Sequence, residues 1–520
     1  MASQGATVTV EILEESLELR IESSNIGWAG YDREIVRAIL ETRRVFVVVF
    51  TMGIFALAFR NATDPDLWWH LRTGQLILEN HKLFHVDPYS FTKLGQPWVD
   101  HEWLSQILIY GAYRIGGWGG LIGAFAALIA FAFFLVFLRS KGQPYVAGTI
   151  TVWGAIAAVP SFGVRPQMFT LFLASLLLFV LERSEQRVRL LWSIPVLMVF
   201  WVNLHAGYAL GIAFLIVFWV GDAIALALGQ PQERDLRVRL KTLAVVTAAS
   251  IAVVPLNPYG LALYRYPFET LHSRAMLAYI GEWQSPDFHQ AKYLAALCLM
   301  LAWLAVPIFS PERLRSRELL LLAFTMIAAL RSVRHIPIFA LVAAPLLSGI
   351  IQARFDQTSS SPLNRRSPLT PRKLILNVLL LGGFLGFATA RVWSVVREQG
   401  ASEGKEFPSA AVHFLKAAQA PGPLLNHYNW GGYFIWQLYP QYRVYIDGRA
   451  DLYGDSFLEE FAATYYLRGT SWRSGLERWG VRTVVLPPDA PLTTALSSLP
   501  QWKVVFSDRQ AIVLMRTPWP

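Results

Sequence analysis

The chain is long, apolar and basic. It has 520 residues, of which 54% are hydrophobic and 16% charged, and its formal net charge is +10. A soluble protein of this size would need more polar residues to cover its water-facing surface. The composition therefore excludes a soluble protein and predicts helices in lipid. The basic residues are spread over short loops instead of forming one stripe, so nucleic acid is not expected as a partner.

The N-terminus is polar, and the apolar run after it lacks a small-residue cleavage site. We therefore predict a cytoplasmic arm, residues 1–44, followed by a retained anchor helix. Further apolar runs approach membrane length, and the pattern predicts an α-helical polytopic membrane protein with about eleven transmembrane helices. The predicted spans are roughly 45–60, 118–138, 145–160, 167–183, 190–202, 208–228, 242–256, 291–308, 317–332, 336–351 and 374–392.

Alternate loops of this predicted bundle are basic, which sets its orientation. Under the positive-inside rule these loops and the N-terminus face the cytoplasm. The first outer loop, residues 61–117, and the tail from Trp393 then lie on the other side of the membrane. Trp103 to Gly116 is helix-like but short for a span, and its Trp and Tyr residues favour a helix lying at the outer face of the bilayer.

Beyond the transmembrane domain, residues 45–392, the pattern changes to a small extracytoplasmic α/β domain, residues 393–520. The Ser-, Pro- and Arg-rich residues 357–373 before the last span predict a flexible cytoplasmic linker. In the tail, Gly, Pro and Asp turns separate one short helix and four strand-like runs. These are Ala410–Ala418 for the helix and Arg443–Ile446, Arg482–Leu486, Lys503–Phe506 and Ala511–Met515 for the strands.

The first outer loop carries two clusters of polar residues among tryptophans. Carboxylates placed just beyond a span could present a base to a substrate whose reactive end is polar and whose tail lies in lipid. Alternatively, an aspartate caps the helix that follows and the tryptophans only anchor the interface. Both interpretations stay open. The clusters contain Asp64, Asp66 and His70, and then Asp100, His101 and Glu102.

Basic residues stand at the predicted outer ends of other spans. Arg165, Arg331, Arg334 and His335 could hold a lipid phosphate, because a guanidinium binds phosphate bidentately. The alternative is that they reach toward membrane lipid headgroups. His205 could line the same cavity, and an interface histidine that is satisfied by its neighbours is the alternative.

No metal spacing is evident in the sequence. Asp64, Asp66, Asp100 and Glu102 could share a divalent cation if the loop brought them together, but their separation does not require it. The tail residues Asp447 to Asp451 form either a glycine turn held by an Asp/Arg pair or a loop that recognises an acceptor.

The acidic pair after the first span, the helix that follows, and the second polar cluster before another amphipathic helix resemble the GT-C superfamily of lipid-linked glycosyltransferases. The likeness is strongest to the protein O-mannosyltransferase and aminoarabinose transferase group (family 39-like bacterial polytopic proteins). Arg165-Pro166-Gln167, Gly281 to Pro286 and Ile446 to Asp451 resemble the same bacterial group. Two departures are an Asp-Pro-Asp pair instead of Asp-Glu, and Arg165 where aminoarabinose-transferase-like proteins have an acid.

The resemblance implies a GT-C-like fold and a polyprenyl-phosphate-sugar donor. It implies that Asp66, in better register than Asp64, is the general base of an inverting transfer at the outer face of the bacterial plasma membrane. The alternative is a non-catalytic GT-C-like membrane subunit or scaffold that binds partner proteins through its outer domain.

Overall fold

The computed structural model describes five stretches of the chain, and every statement about contacts refers to them. The predicted arm, residues 1–44, and the predicted linker, residues 357–373, lie largely outside them. The described residues are 40–229, 236–309, 314–357, 369–469 and 472–517.

Each predicted span coincides with a helix, and further helices lie in the outer loops. The helices up to the tail are α1 (Thr42–Ala58), α2 (Leu67–Asn80), α3 (Trp103–Arg139), α4 (Pro144–Ala158), α5 (Gln167–Arg183), α6 (Ile194–Leu204), α7 (Tyr208–Ala227), α8 (Leu236–Ala252), α9 (Ala262–His272), α10 (Arg274–Tyr279), α11 (Leu294–Ala305), α12 (Ser316–Arg331), α13 (Ile336–Gln357) and α14 (Pro371–Glu406).

Five helices of the described chain are long and apolar enough to cross a membrane. The protein is therefore a helical membrane protein, whereas the count of eleven spans stays a prediction because the other helices are shorter. The five segments are Trp103–Arg139, Tyr208–Ala227, Leu236–Leu256, Val333–Gln357 and Pro371–Glu406.

Helix α3 is two helices joined by a sharp break. Gly117 has φ 55° and ψ −152°, a conformation that glycine adopts without steric cost. The break falls between the predicted interface helix, Trp103 to Gly116, and the predicted span that begins at residue 118. The position of that first half at the bilayer surface stays a prediction.

The hydrophobic core is continuous from the membrane helices through the first outer loop into the tail. Trp68 of α2 is fully buried at its centre, and its ring lies edge-on to Trp118 at 5.6 Å, Phe407 at 5.2 Å and Tyr433 at 4.9 Å between centroids. These aromatic contacts join three parts of the chain. The tail and the first outer loop therefore lie on the same side of the bundle.

The tail folds as helices packed on a small sheet. Strand β1 pairs in parallel with β2, and β2 and β3 each pair antiparallel with β4, giving the order β1-β2-β4-β3. The strands are β1 (Leu424–Asn426), β2 (Thr483–Leu486), β3 (Trp502–Ser507) and β4 (Ile512–Arg516). The helices are α15 (Ser409–Ala418), α16 (Gly431–Leu438), α17 (Ala450–Tyr465), α18 (Trp472–Arg478) and α19 (Pro491–Ser497).

One strand prediction is wrong and one strand is new. The segment Arg443–Ile446 does not join the sheet. Instead the Val444 N–H donates to the Tyr89 carbonyl at 3.0 Å, and the Phe91 N–H donates to the Val444 carbonyl at 3.1 Å. The backbone of this segment therefore forms its hydrogen bonds with the first outer loop, and β1 is the edge strand of the sheet instead. Helix α14 continues to Glu406, so the first element of the domain itself is α15.

Candidate active site

Asp64 and Asp66 form a tight turn between α1 and α2. Oδ1 of Asp64 accepts a hydrogen bond from the Asp66 N–H at 2.9 Å, so Asp64 satisfies the start of α2. The Asp66 side chain does not cap the helix. Its Oδ1 accepts from Trp69 Nε1 at 3.3 Å, and among the described residues its Oδ2 has no hydrogen-bond donor. Helix capping therefore does not use the Asp66 side chain, and its Oδ2 is available.

The surroundings of Asp66 favour its protonated form. Burial and the neighbouring Asp64 carboxylate raise the pKa of Asp66 to about 7, with Arg165 opposing the shift. Burial also raises the pKa of Asp64. A carboxylate that titrates near neutral pH is suited to accept a proton and later release it.

Arg165, on the turn before α5, joins the aspartate pair to another outer loop. Its Nε lies 3.0 Å from Asp64 Oδ2, and its Nη1 lies 2.5 Å from Glu282 Oε1. Glu282 stands on the turn after α10. Two carboxylates thus balance Arg165, so the guanidinium that the sequence assigned to a lipid phosphate is already occupied.

Three imidazoles surround Glu102 at the end of the first outer loop. Nε2 of His101 and Nε2 of His205 each lie 3.4 Å from Glu102 Oε1, and Nε2 of His70 lies 3.6 Å from Oε2. Nδ1 of His205 accepts from the Gly207 N–H at 3.0 Å, so its proton belongs on Nε2, facing the carboxylate. The cluster therefore connects the first outer loop to the turn after α6, which carries His205.

Burial and charge set the protonation of this cluster. Burial lowers the pKa of His70 to about 4 and that of His205 to about 3. Although burial alone would raise it, the adjacent His101 holds the pKa of Glu102 below its usual range. Glu102 is therefore ionised at neutral pH and faces three imidazole nitrogens.

Arg334, between α12 and α13, lies beside this cluster and has no carboxylate partner within the described stretches. Its Nη2 lies 3.5 Å from His205 Nε2, and its guanidinium stacks 5.1 Å from the centre of the Trp283 ring. The positive charge of Arg334 also helps to lower the pKa of Glu282, after that of Arg165. Arg334 therefore borders both groups of carboxylates.

The four carboxylates considered for a divalent cation do not converge. Asp100 turns into the protein, where Oδ1 accepts from Gln106 Nε2 at 2.5 Å, while Asp64 binds Arg165 and Glu102 faces the imidazoles. In the described part of the chain, no group of three or more His, Cys, Asp or Glu side chains is arranged to hold a metal ion. These residues do not fit a cation site.

Neither a family model nor a curated protein matches the sequence. Solved structures do match the fold. The oligosaccharyltransferase AglB from Archaeoglobus fulgidus, in complex with an inhibitory peptide and a dolichol-phosphate, aligns with a TM-score of 0.50 at 11% identity over 85% of this chain and 69% of that chain. The same enzyme tethered with an acceptor peptide gives 0.50 at 12%, over 85% and 68%.

This chain has the GT-C fold. ArnT from Cupriavidus metallidurans bound to undecaprenyl phosphate is also similar, with a TM-score of 0.44 at 13% identity over 90% of this chain and 97% of that chain. Both AglB and ArnT are GT-C membrane glycosyltransferases.

Within the GT-C fold, some predicted site residues meet and others do not. Asp64, Asp66 and Arg165 form one group, and His70, His101, Glu102 and His205 form another, with Arg334 beside it. Arg331 is exposed, Asp100 faces the interior, and His335 lies 6.4 Å from Trp283 between ring centroids with a buried Nδ1 that lacks a partner in the described chain.

Glu282 and Tyr428 are neighbours of the site that the sequence did not single out. Glu282 lies in the stretch Gly281 to Pro286, which carries the resemblance, but nothing in that stretch says that it meets Arg165. The negative charge of Asp66 contributes to a raised pKa of Tyr428, after burial, which places the phenol of the tail near the aspartate. For Glu282, the available signal in the sequence was its position beside a tryptophan in an outer loop.

Proposed function

We propose that this protein transfers a sugar from a polyprenyl-phosphate donor to an acceptor at the outer face of the bacterial plasma membrane. The observation that carries the proposal is the state of Asp66, a half-buried carboxylate with a raised pKa and an unbonded Oδ2. The GT-C fold supports it, because AglB was solved with a dolichol-phosphate. The orientation rests on the basic loops of the sequence.

In the proposed reaction Asp66 Oδ2 removes the proton of the acceptor group as that group attacks the anomeric carbon of the sugar. The new bond to the acceptor forms while the bond from the anomeric carbon to the phosphate oxygen breaks, so the configuration inverts. The proton stays on Asp66, and the lipid phosphate leaves with the electron pair. No other reactant is needed.

Arg334 is the residue that we assign to the leaving phosphate. Since no carboxylate in the described chain pairs with it, its guanidinium can accept an anionic partner without breaking a salt bridge. Arg165 has a different role, because Asp64 and Glu282 already neutralise it. It holds Asp64 beside Asp66, while its own positive charge opposes the rise in the pKa of the base.

The test is transfer by membranes that contain wild-type protein or Asp66→Asn at equal levels. Labelled undecaprenyl-phosphate mannose and undecaprenyl-phosphate aminoarabinose are supplied as donors, and label on acceptors is measured together with released undecaprenyl phosphate. Asn keeps the size of Asp but cannot take the proton, so we expect a fall of about two to four orders of magnitude.

Asp287→Asn is the matched control, because Asp287 is an exposed outer-loop aspartate and its replacement should leave transfer unchanged. Full transfer by Asp66→Asn would overturn the assignment of the base. If the wild type transfers no sugar and instead co-purifies with stable partner proteins, the scaffold alternative is favoured.

A further inference from the structure

The tail lies directly against the proposed base at Gly448. A Cβ built on Gly448 would lie 1.6 Å from Asp66 Oδ1 and 2.7 Å from its Cγ. The backbone of Gly448 does not have a positive φ, so the turn itself would accept another residue. Glycine is required here because the Asp66 carboxylate occupies the space of a side chain.

A second glycine of the tail packs on the same turn. A Cβ on Gly432, at the start of α16, would lie 2.4 Å from the Pro65 carbonyl oxygen and 3.3 Å from Trp69 Cδ1. Gly432 also lacks a positive φ. The tail therefore contacts the backbone before Asp66, the side chain of Asp66, and the tryptophan that bonds to it.

The Gly448 loop is held rigidly by its neighbour Arg449. This guanidinium is buried and binds Asp447 through Nε at 2.8 Å and Nη2 at 2.7 Å. Its Nη1 reaches Asp87 of the first outer loop at 2.8 Å, and the Tyr89 and Trp98 rings lie 5.1 Å and 4.6 Å from it. A buried arginine that is paired with carboxylates is costly to displace, so the Gly448 loop cannot easily move. A side chain added at Gly448 would therefore displace the Asp66 carboxylate instead.

We propose that Gly448 is a positioning residue for Asp66, so that the catalytic carboxylate is held in its buried place by the docked C-terminal domain and the active site is shared between the two domains. The role in transfer rests on the proposed function, whereas the placement of Asp66 does not. Trp69 bonds to Oδ1 and Gly448 packs against it, so Oδ2 is the oxygen directed to the substrate. The loop is therefore a Gly turn held by an Asp/Arg pair that also positions Asp66.

The test uses the full chain in vesicles and the variant Gly448→Ala. A water-soluble carbodiimide with glycine ethyl ester modifies protonated carboxyls, and mass spectrometry of the peptide that contains Asp66 gives the pH midpoint of its modification. The added methyl group displaces the carboxylate from its buried place, so we expect the midpoint to fall by at least about one pH unit toward the ordinary value of an aspartate. Transfer should fall at least about a hundredfold through kcat, with KM for the donor little changed.

Gly400→Ala is the matched control, because a Cβ there meets no atom within 4 Å, and it should change neither readout. If Gly448→Ala does not fold, Asp87→Asn weakens the anchor of the loop without adding atoms, and we expect a smaller shift in the same direction. An unchanged midpoint and rate in a folded Gly448→Ala protein would overturn the proposal. A shifted midpoint without any transfer by the wild type would uphold the placement of Asp66 and contradict the proposed function.

Discussion

Charged side chains are buried at both ends of the helix bundle, and the two groups are paired differently. Helix α5 runs between them, with Arg165 before its first residue and Glu185 after its last. At the Glu185 end, Asp222 lies between Arg239 at 2.7 Å and Arg317 at 2.8 Å. At the Arg165 end, Trp69 is the one hydrogen-bond donor to the Asp66 side chain within the described part of the chain.

The difference separates charges that hold helices together from a charge that is available for chemistry. In the first group the oppositely charged residues alternate, and Glu185 also binds Arg317 and, at 2.9 Å, Arg315. In the second group Arg165 pairs with Asp64 and Glu282, while burial and the Asp64 charge raise the pKa of Asp66. A carboxylate whose pKa is perturbed by burial and a neighbouring charge is a candidate for a reactive site.

The largest effect on stability should come from the paired group. Asp222→Ala leaves Arg239 and Arg317 without the carboxylate between them, and uncompensated buried charge costs about 3–5 kcal/mol. We expect a marked loss of thermal stability in detergent, whereas Asp66→Asn should not cause one. Equal unfolding temperatures for Asp222→Ala and the wild type would show that this network does not hold the helices together.

The next effect is the pH dependence of transfer. Because Asp66 must be ionised to act as a base and its pKa is about 7, kcat/KM should fall about tenfold for each pH unit below 7. Asp64→Asn removes the adjacent negative charge, so the pKa of Asp66 and the acid limb of the profile should move to lower pH. A profile that is flat from pH 5 to pH 8 would contradict the role of Asp66.

A smaller effect is expected on binding of the lipid phosphate. Arg334→Gln removes a guanidinium that pairs with no carboxylate of the described residues. A charge-assisted hydrogen bond to phosphate is worth about 1.5–3 kcal/mol, so affinity for undecaprenyl phosphate should fall at least tenfold. Arg331→Gln is the control, since Arg331 is exposed on the neighbouring turn. Equal losses in titrations of both variants would show that the phosphate does not discriminate between them.

Sequence patterns predicted the helices well because each helix is defined by its own apolar run. They predicted part of the site, since Asp64, Asp66 and Arg165 stand at the ends of such runs. Glu282 and Gly448 were missed as site residues because periodicity does not say which loops meet. The strand assigned to Arg443–Ile446 failed for the same reason, since its backbone partners come from the first outer loop.

The last predicted effect, on the stability of Asp66→Asn, has the opposite sign to that of Asp222→Ala. Burial and the Asp64 charge raise the pKa of folded Asp66 to about 7, whereas an unfolded aspartate titrates near about 3.9. The folded state therefore binds this proton more tightly, and the wild type loses stability as pH rises from about 4 to 7. Asn accepts the Trp69 hydrogen bond but carries no charge. Asp66→Asn should thus unfold at a higher temperature than the wild type at pH 8, and the gain should shrink toward pH 5 in thermal melts of the detergent-solubilised protein. A variant that is less stable than the wild type at pH 8 would mean that the ionised carboxylate has a partner that stabilises it.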